Sequence, residues 1–141
     1  MEEINQELEI IKKLLIKEVE PLAILLFGSY ARNTQNSQSD IDIAFKGKKI
    51  NKIKMFELKG ELEQLTNKDI DLINLDDIGD SFRYEILMNG IVLYCTDSYK
   101  FDMYKLDMFR DFLELNESRQ DIIKSIKEGG KIYGKWKCYI K

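Results

Sequence analysis

The sequence predicts an α+β (α/β-like) domain, a mixed β-sheet flanked by helices with a helical C-terminal third. Short apolar or alternating runs at 22–27, 40–45, 70–75 and 91–94 read as strands. Helix-period patterns lie between them, and beyond residue 97 only helical patterning continues up to a glycine pair.

Ile4, Leu8, Ile11, Leu15 and Val19 recur at helical spacing with Glu and Lys between them, giving an amphipathic first helix that Pro21 stops. The run Pro21-Leu22-Ala23-Ile24-Leu25-Leu26-Phe27 follows as a buried strand. Residues 33–38 are a polar, turn-rich loop, and 40–45 a second strand. Lys46-Gly47-Lys48-Lys49 is a basic turn, and 53–65 fits a second amphipathic helix ended by Thr66-Asn67-Lys68. Ile70-Asp71-Leu72-Ile73-Asn74-Leu75 is a third strand, with Asp71 on the opposite face from Leu72. A short helix at 81–88 and an Asn89-Gly90 turn lead into the strand Ile91-Val92-Leu93-Tyr94.

A longer helix spans about 98–115, with further helical turns at about 118–127 and a break at Gly129-Gly130. On it Phe101, Met108, Phe112 and Leu115 form one apolar stripe, and Leu106, Phe109 and Leu113 another. Two stripes suit either a partner surface or burial on two sides within the monomer. The tail from Lys131 to Tyr139 interleaves bases with aromatics, as a nucleotide-stacking or partner-wrapping segment would, or as a closing strand or frayed end.

A length of 141 residues suits one domain, with a core over about 1–97 and a helical segment and tail over 98–141. Net charge is −3, which argues against bulk electrostatic binding of nucleic acid. With no histidine, His-based acid–base chemistry, a Ser-His-Asp triad and His-ligated zinc are excluded. Cys95 and Cys138 stand far apart, as reduced thiols of a cytoplasmic protein would. The acidic start Met1-Glu2-Glu3-Ile4-Asn5 lacks the pattern of a signal peptide, and no apolar run is long enough to span a bilayer.

Chemistry concentrates in Phe27-Gly28-Ser29-Tyr30-Ala31-Arg32 and Ser39-Asp40-Ile41-Asp42-Ile43. Lacking a Cβ, Gly28 lets the backbone approach a ligand closely. Ser29 adds a hydroxyl and an N–H at a helix start, where anions sit well. Asp40 and Asp42, two apart on a strand, share one face, with Ile41 and Ile43 on the other. Paired carboxylates repel unless a divalent cation joins them, and Mg²⁺ commonly uses one or two carboxylates plus substrate phosphates. Asp71 is the best third acid, central in an apolar strand where an unpaired carboxylate is costly; Asp69 is the fallback. Arg32, about one helical turn beyond Ser29, suits either a phosphate brace or a surface ion pair. Asp76 and Asp77 read as loop acids without a part in the chemistry.

Gly28-Ser29, ten residues, Asp40-Ile41-Asp42 and the later Asp71 together resemble the DNA polymerase β-like nucleotidyltransferase superfamily. Within it the chain is similar to the minimal nucleotidyltransferases, in particular the MntA-type antitoxins of HEPN/MNT toxin–antitoxin systems. The resemblance covers about residues 20–95. It implies that Asp40, Asp42 and Asp71 bind two Mg²⁺ ions and that Gly28 and Ser29 hold the triphosphate of ATP. It further implies AMP transfer to a tyrosine of a cognate HEPN ribonuclease toxin; the charge and hydropathy above set aside a membrane and a direct nucleic-acid partner. Asn33 departs from the pattern, since a Gly often follows the Arg. Two other functions stay open: a small-molecule, antibiotic-type nucleotidyltransferase, for which about 45 residues after Cys95 are thin, and a non-catalytic antitoxin that neutralises by binding.

Overall fold

The computed structural model describes residues 5–28 and 40–115. Helix α1 (Asn5–Val19) buries Leu8, Ile11, Leu15 and Val19, the stripe its spacing dictates. Strand β1 (Ala23–Phe27) follows, then β2 (Ile41–Lys46) and helix α2 (Lys52–Thr66). The Asn51 side chain caps α2 by accepting from the Lys54 N–H at 2.8 Å, and Asn67 closes it in the left-handed region at φ 58°. Strand β3 (Ile70–Asn74), a 3₁₀ turn (Leu75–Asp77), helix α3 (Asp80–Asn89), strand β4 (Ile91–Cys95) and helix α4 (Ser98–Leu115) complete the described elements. Among the described residues the expected strands and helices are present with ends shifted by a residue or two, so that Asp40 stands just before β2 rather than within it.

The four strands form one mixed sheet in the order β3-β2-β1-β4. The central strand β1 runs antiparallel to both β2 and β4, while β2 and β3 are parallel, joined by α2 as the crossover. On one face Ile24, Leu26, Ile41, Ile43 and Phe45 pack with the apolar sides of α1 and α2. On the other, Ala23, Leu25, Ala44 and Val92 pack with Ile86 and Leu87 of α3 and Phe101 and Phe109 of α4. Both faces of the inner strands are therefore covered, which accounts for their near-continuous apolar sequence.

Arg83 ties the second layer together. Its Nε donates to the Leu75 carbonyl at 2.7 Å and its Nη2 to the Ile78 carbonyl at 2.8 Å, fixing the 3₁₀ turn to α3. Arg83→Met keeps the stem and orphans both carbonyls, so stability falls by about 2 kcal/mol, from the usual worth of charged hydrogen bonds. Urea unfolding measures this as a lower midpoint at unchanged slope.

The apolar pattern of α4 differs from the two stripes expected. Phe101 and Phe109, assigned to separate stripes, are buried together, with Lys105 between them only 1% exposed. The Lys105 ammonium lies 4.5 Å from the centre of the Phe101 ring, so its apolar stem completes a face that hydrophobicity alone skips. Phe112 stacks on Tyr84 at 4.4 Å, while Leu106 is 37% exposed. The side chains of Leu113 and Leu115, the turns expected near 118–127, the Gly129-Gly130 break and the basic-aromatic tail lie outside the described residues. Among the described residues no helix is long and apolar enough to cross a membrane.

Candidate active site

Strand β1 ends at Phe27, and Gly28 follows at φ +71°, a left-handed turn that glycine adopts without strain. The turn lays its Cα directly against Asp42. A Cβ built on Gly28 would overlap the Asp42 Oδ2 atom and stand 2.8 Å from its Cγ. The group that this missing Cβ accommodates is the protein's own Asp42 carboxylate.

Asp42 lies across from Phe27 on β1 and across from Asp71 on β3. Ile41 and Ile43 point into the α1/α2 core, so Asp42 points to the opposite face; Ile73 packs on that opposite face, which puts Asp71 there too. Two acidic residues from neighbouring strands are thus register partners on one face, their backbones about 4.8 Å apart as in any sheet. Asp42 is half-buried, Asp71 exposed. Asp40 is exposed at the same end of β2, and Asp69, the fallback acid, is exposed one residue before β3, its carbonyl accepting from the Ile41 N–H at 2.9 Å. Asp71, not Asp69, is level with Asp42. Ser29 and Arg32 lie outside the described residues.

The carboxylates form an open edge rather than a closed cage. Among the described residues no group of three or more His, Cys, Asp or Glu side chains is gathered as a metal ion would require of protein ligands alone. Hard oxygen donors on one face, open to solvent and lacking a complete protein shell, fit Mg²⁺ delivered with phosphate oxygens.

Two features escape a reading by residue pattern. Phe82 of α3, 41% exposed, meets Phe27 edge-on with ring centres 5.9 Å apart, beside the acid pair. Its only sequence signal is a large apolar residue on the solvent side of a short helix. At the far end of the sheet, Asp76 accepts from Lys46 Nζ at 2.6 Å and from the Tyr104 hydroxyl at 3.4 Å. Burial and the Asp76 charge push the Tyr104 hydroxyl well above its usual range. Asp76 is thus a tether between β2 and α4, far from the acid pair. At that same far end a groove of about 620 Å³ is lined by Ile16, Leu22, Tyr94 and Lys100 among others.

A glycine turn seated on one of two level strand carboxylates sets a close backbone approach beside hard oxygen donors. Residues 9–99 match the family model described as polymerase beta, nucleotidyltransferase, and the chain belongs to that family. It is a homologue of the protein adenylyltransferase MntA of Shewanella oneidensis, 30% identical over 129 residues that cover 89% of this chain and 90% of that one. A crystal structure of a toxin–antitoxin with AMP-PNP superposes with a TM-score of 0.71 at 28% identity, covering 85% of this chain and 98% of that one. A structure of a tri-AMPylated Shewanella oneidensis HEPN toxin in complex with MNT antitoxin gives 0.67 at 25% identity, over 86% and 97% of the two chains.

Proposed function

We propose that this chain is the antitoxin of a HEPN toxin and silences it by moving AMP from ATP onto a toxin tyrosine. The observation that carries the reading is the level placement of Asp42 and Asp71 beside the Gly28 turn. Asp40, Asp42 and Asp71 would hold two Mg²⁺ ions, which supply charge neutralisation at the phosphates and acidify the acceptor hydroxyl. Gly28, with Ser29 and Arg32, seats the triphosphate by close backbone approach and donated hydrogen bonds. Asp71, exposed on the edge strand β3, faces the incoming acceptor and takes up its hydroxyl proton. A bond forms from the tyrosine oxygen to the α-phosphorus as the bond to the pyrophosphate oxygen breaks, and pyrophosphate leaves. The chain acts as a single domain in the cytoplasm, with the protein toxin rather than nucleic acid as partner.

The relatives support the toxin as acceptor: one is named as a protein adenylyltransferase, and another is complexed with a toxin that carries AMP. Intact mass spectrometry of a HEPN toxin encoded beside this chain, incubated with it, ATP and Mg²⁺, tests the reading. The expected result is a toxin heavier by one or more AMP units, and none with the Asp40→Asn/Asp42→Asn pair. A toxin neutralised equally by that double variant, without added mass, would instead establish masking by binding.

A further inference from the structure

We infer that Phe27 and Phe82 form the seat of the nucleobase, a subsite whose assignment rests on the nucleotidyltransferase reading above. On the face that carries the acids, one row crosses the sheet: Asp71 on β3, Asp42 on β2 and Phe27 on β1. Phe82 reaches down from α3 to extend this row, its ring 78° from that of Phe27. The row is therefore acidic on its β3 side and aromatic on its β1 side.

That order assigns the two substrates to sides. Gly28, the phosphate seat, directly follows Phe27 on β1, so the triphosphate enters on the aromatic side. Asp71, on the edge strand, leaves the β3 side to the acceptor. A nucleotide held by its phosphates at Gly28 has the Phe27–Phe82 corner beside it. Two rings at a steep angle offer a flat base one ring to stack on and a second to abut. Phe82 is 41% exposed, available for such contact without unpacking the core. Neither ring has a polar atom, so the seat grips by stacking area and favours purines over pyrimidines without reading their edges.

The test is titration of Mg²⁺ with ATP, CTP and inorganic tripolyphosphate against the full chain and its Phe82→Ala and Phe82→Trp variants. Phe82→Ala is expected to weaken ATP about tenfold and tripolyphosphate by less than about twofold, the worth of one base–aromatic stack. Phe82→Trp should restore ATP binding, and CTP should lose less than ATP in Phe82→Ala. Unchanged ATP affinity in Phe82→Ala, or an equal loss for tripolyphosphate, overturns the seat. So does a rise confined to the KM of the protein acceptor, which would place the acceptor on this side. A wild-type chain that binds neither ATP nor tripolyphosphate overturns the function itself, a result distinct from loss of the seat alone.

Discussion

Asp42→Asn is expected to lower AMP transfer by about 10³-fold or more while leaving the fold as stable as before. Asn has the shape of Asp, so the packing against Gly28 survives; what disappears is the charge. In the proposed mechanism a divalent ion held there would supply several kcal/mol of transition-state stabilisation, and each 1.36 kcal/mol is about tenfold in rate. Asp42 and Asp71 are register partners, so the variant removes one of two like charges carried on neighbouring strands. Solvent at the exposed Asp71 screens much of their repulsion, and Asp42 has an interaction of its own to set against it, so the net change is small. Without metal, the variant should melt close to the wild-type temperature. With Mg²⁺ and a non-hydrolysable ATP analogue, the wild type should gain stability by mass action and the variant far less. Retained turnover in Asp42→Asn would rule out the assigned chemistry; a collapse of the fold would show that the carboxylate is structural.

The residues Asp40-Ile41-Asp42-Ile43 carry that prediction by themselves, because a period of two fixes which face each side chain takes. The same rule places Asp71 opposite Leu72. It does not align the two strands. The level pairing of Asp42 with Asp71 depends on how α2 carries the chain from β2 to β3, a register settled by core packing of residues such as Ile43 and Leu72. Lys105 illustrates a different gap. Its stem fills a buried position, so a stripe defined by apolar residues splits Phe101 from Phe109 although one face holds both. Phe82 is hidden for the converse reason: a lone apolar residue on a solvent face is ordinary, and only its contact with Phe27 gives it meaning.

Gly28→Ala should be nearly as damaging to catalysis as loss of the carboxylate, by a wholly steric route. Two costs arise. A residue with a Cβ at φ +71° pays about 1 kcal/mol or more of backbone strain. The new methyl would also occupy the position of Asp42 Oδ2, so either the turn or the carboxylate must shift. The turn is the end of β1, anchored by pairing of Leu26 with Ile43 and with Ile91, so the side chain of Asp42 is the softer partner and gives way. A displacement of about 1 Å at a positioning group costs about 10²-fold in rate. Transfer should therefore fall by about that factor, and stability by only about 1 to 2 kcal/mol, leaving a folded protein at 25 °C. The pairing with Asp42 gives a decisive cross-check. If both substitutions act through the same carboxylate, Gly28→Ala should add little to the defect of Asp42→Asn, whereas independent effects would multiply. Measured transfer rates for the two single variants and the double variant decide between shared and separate action. Multiplying defects would mean that the new methyl also harms the triphosphate seat at Gly28, beyond its effect on Asp42.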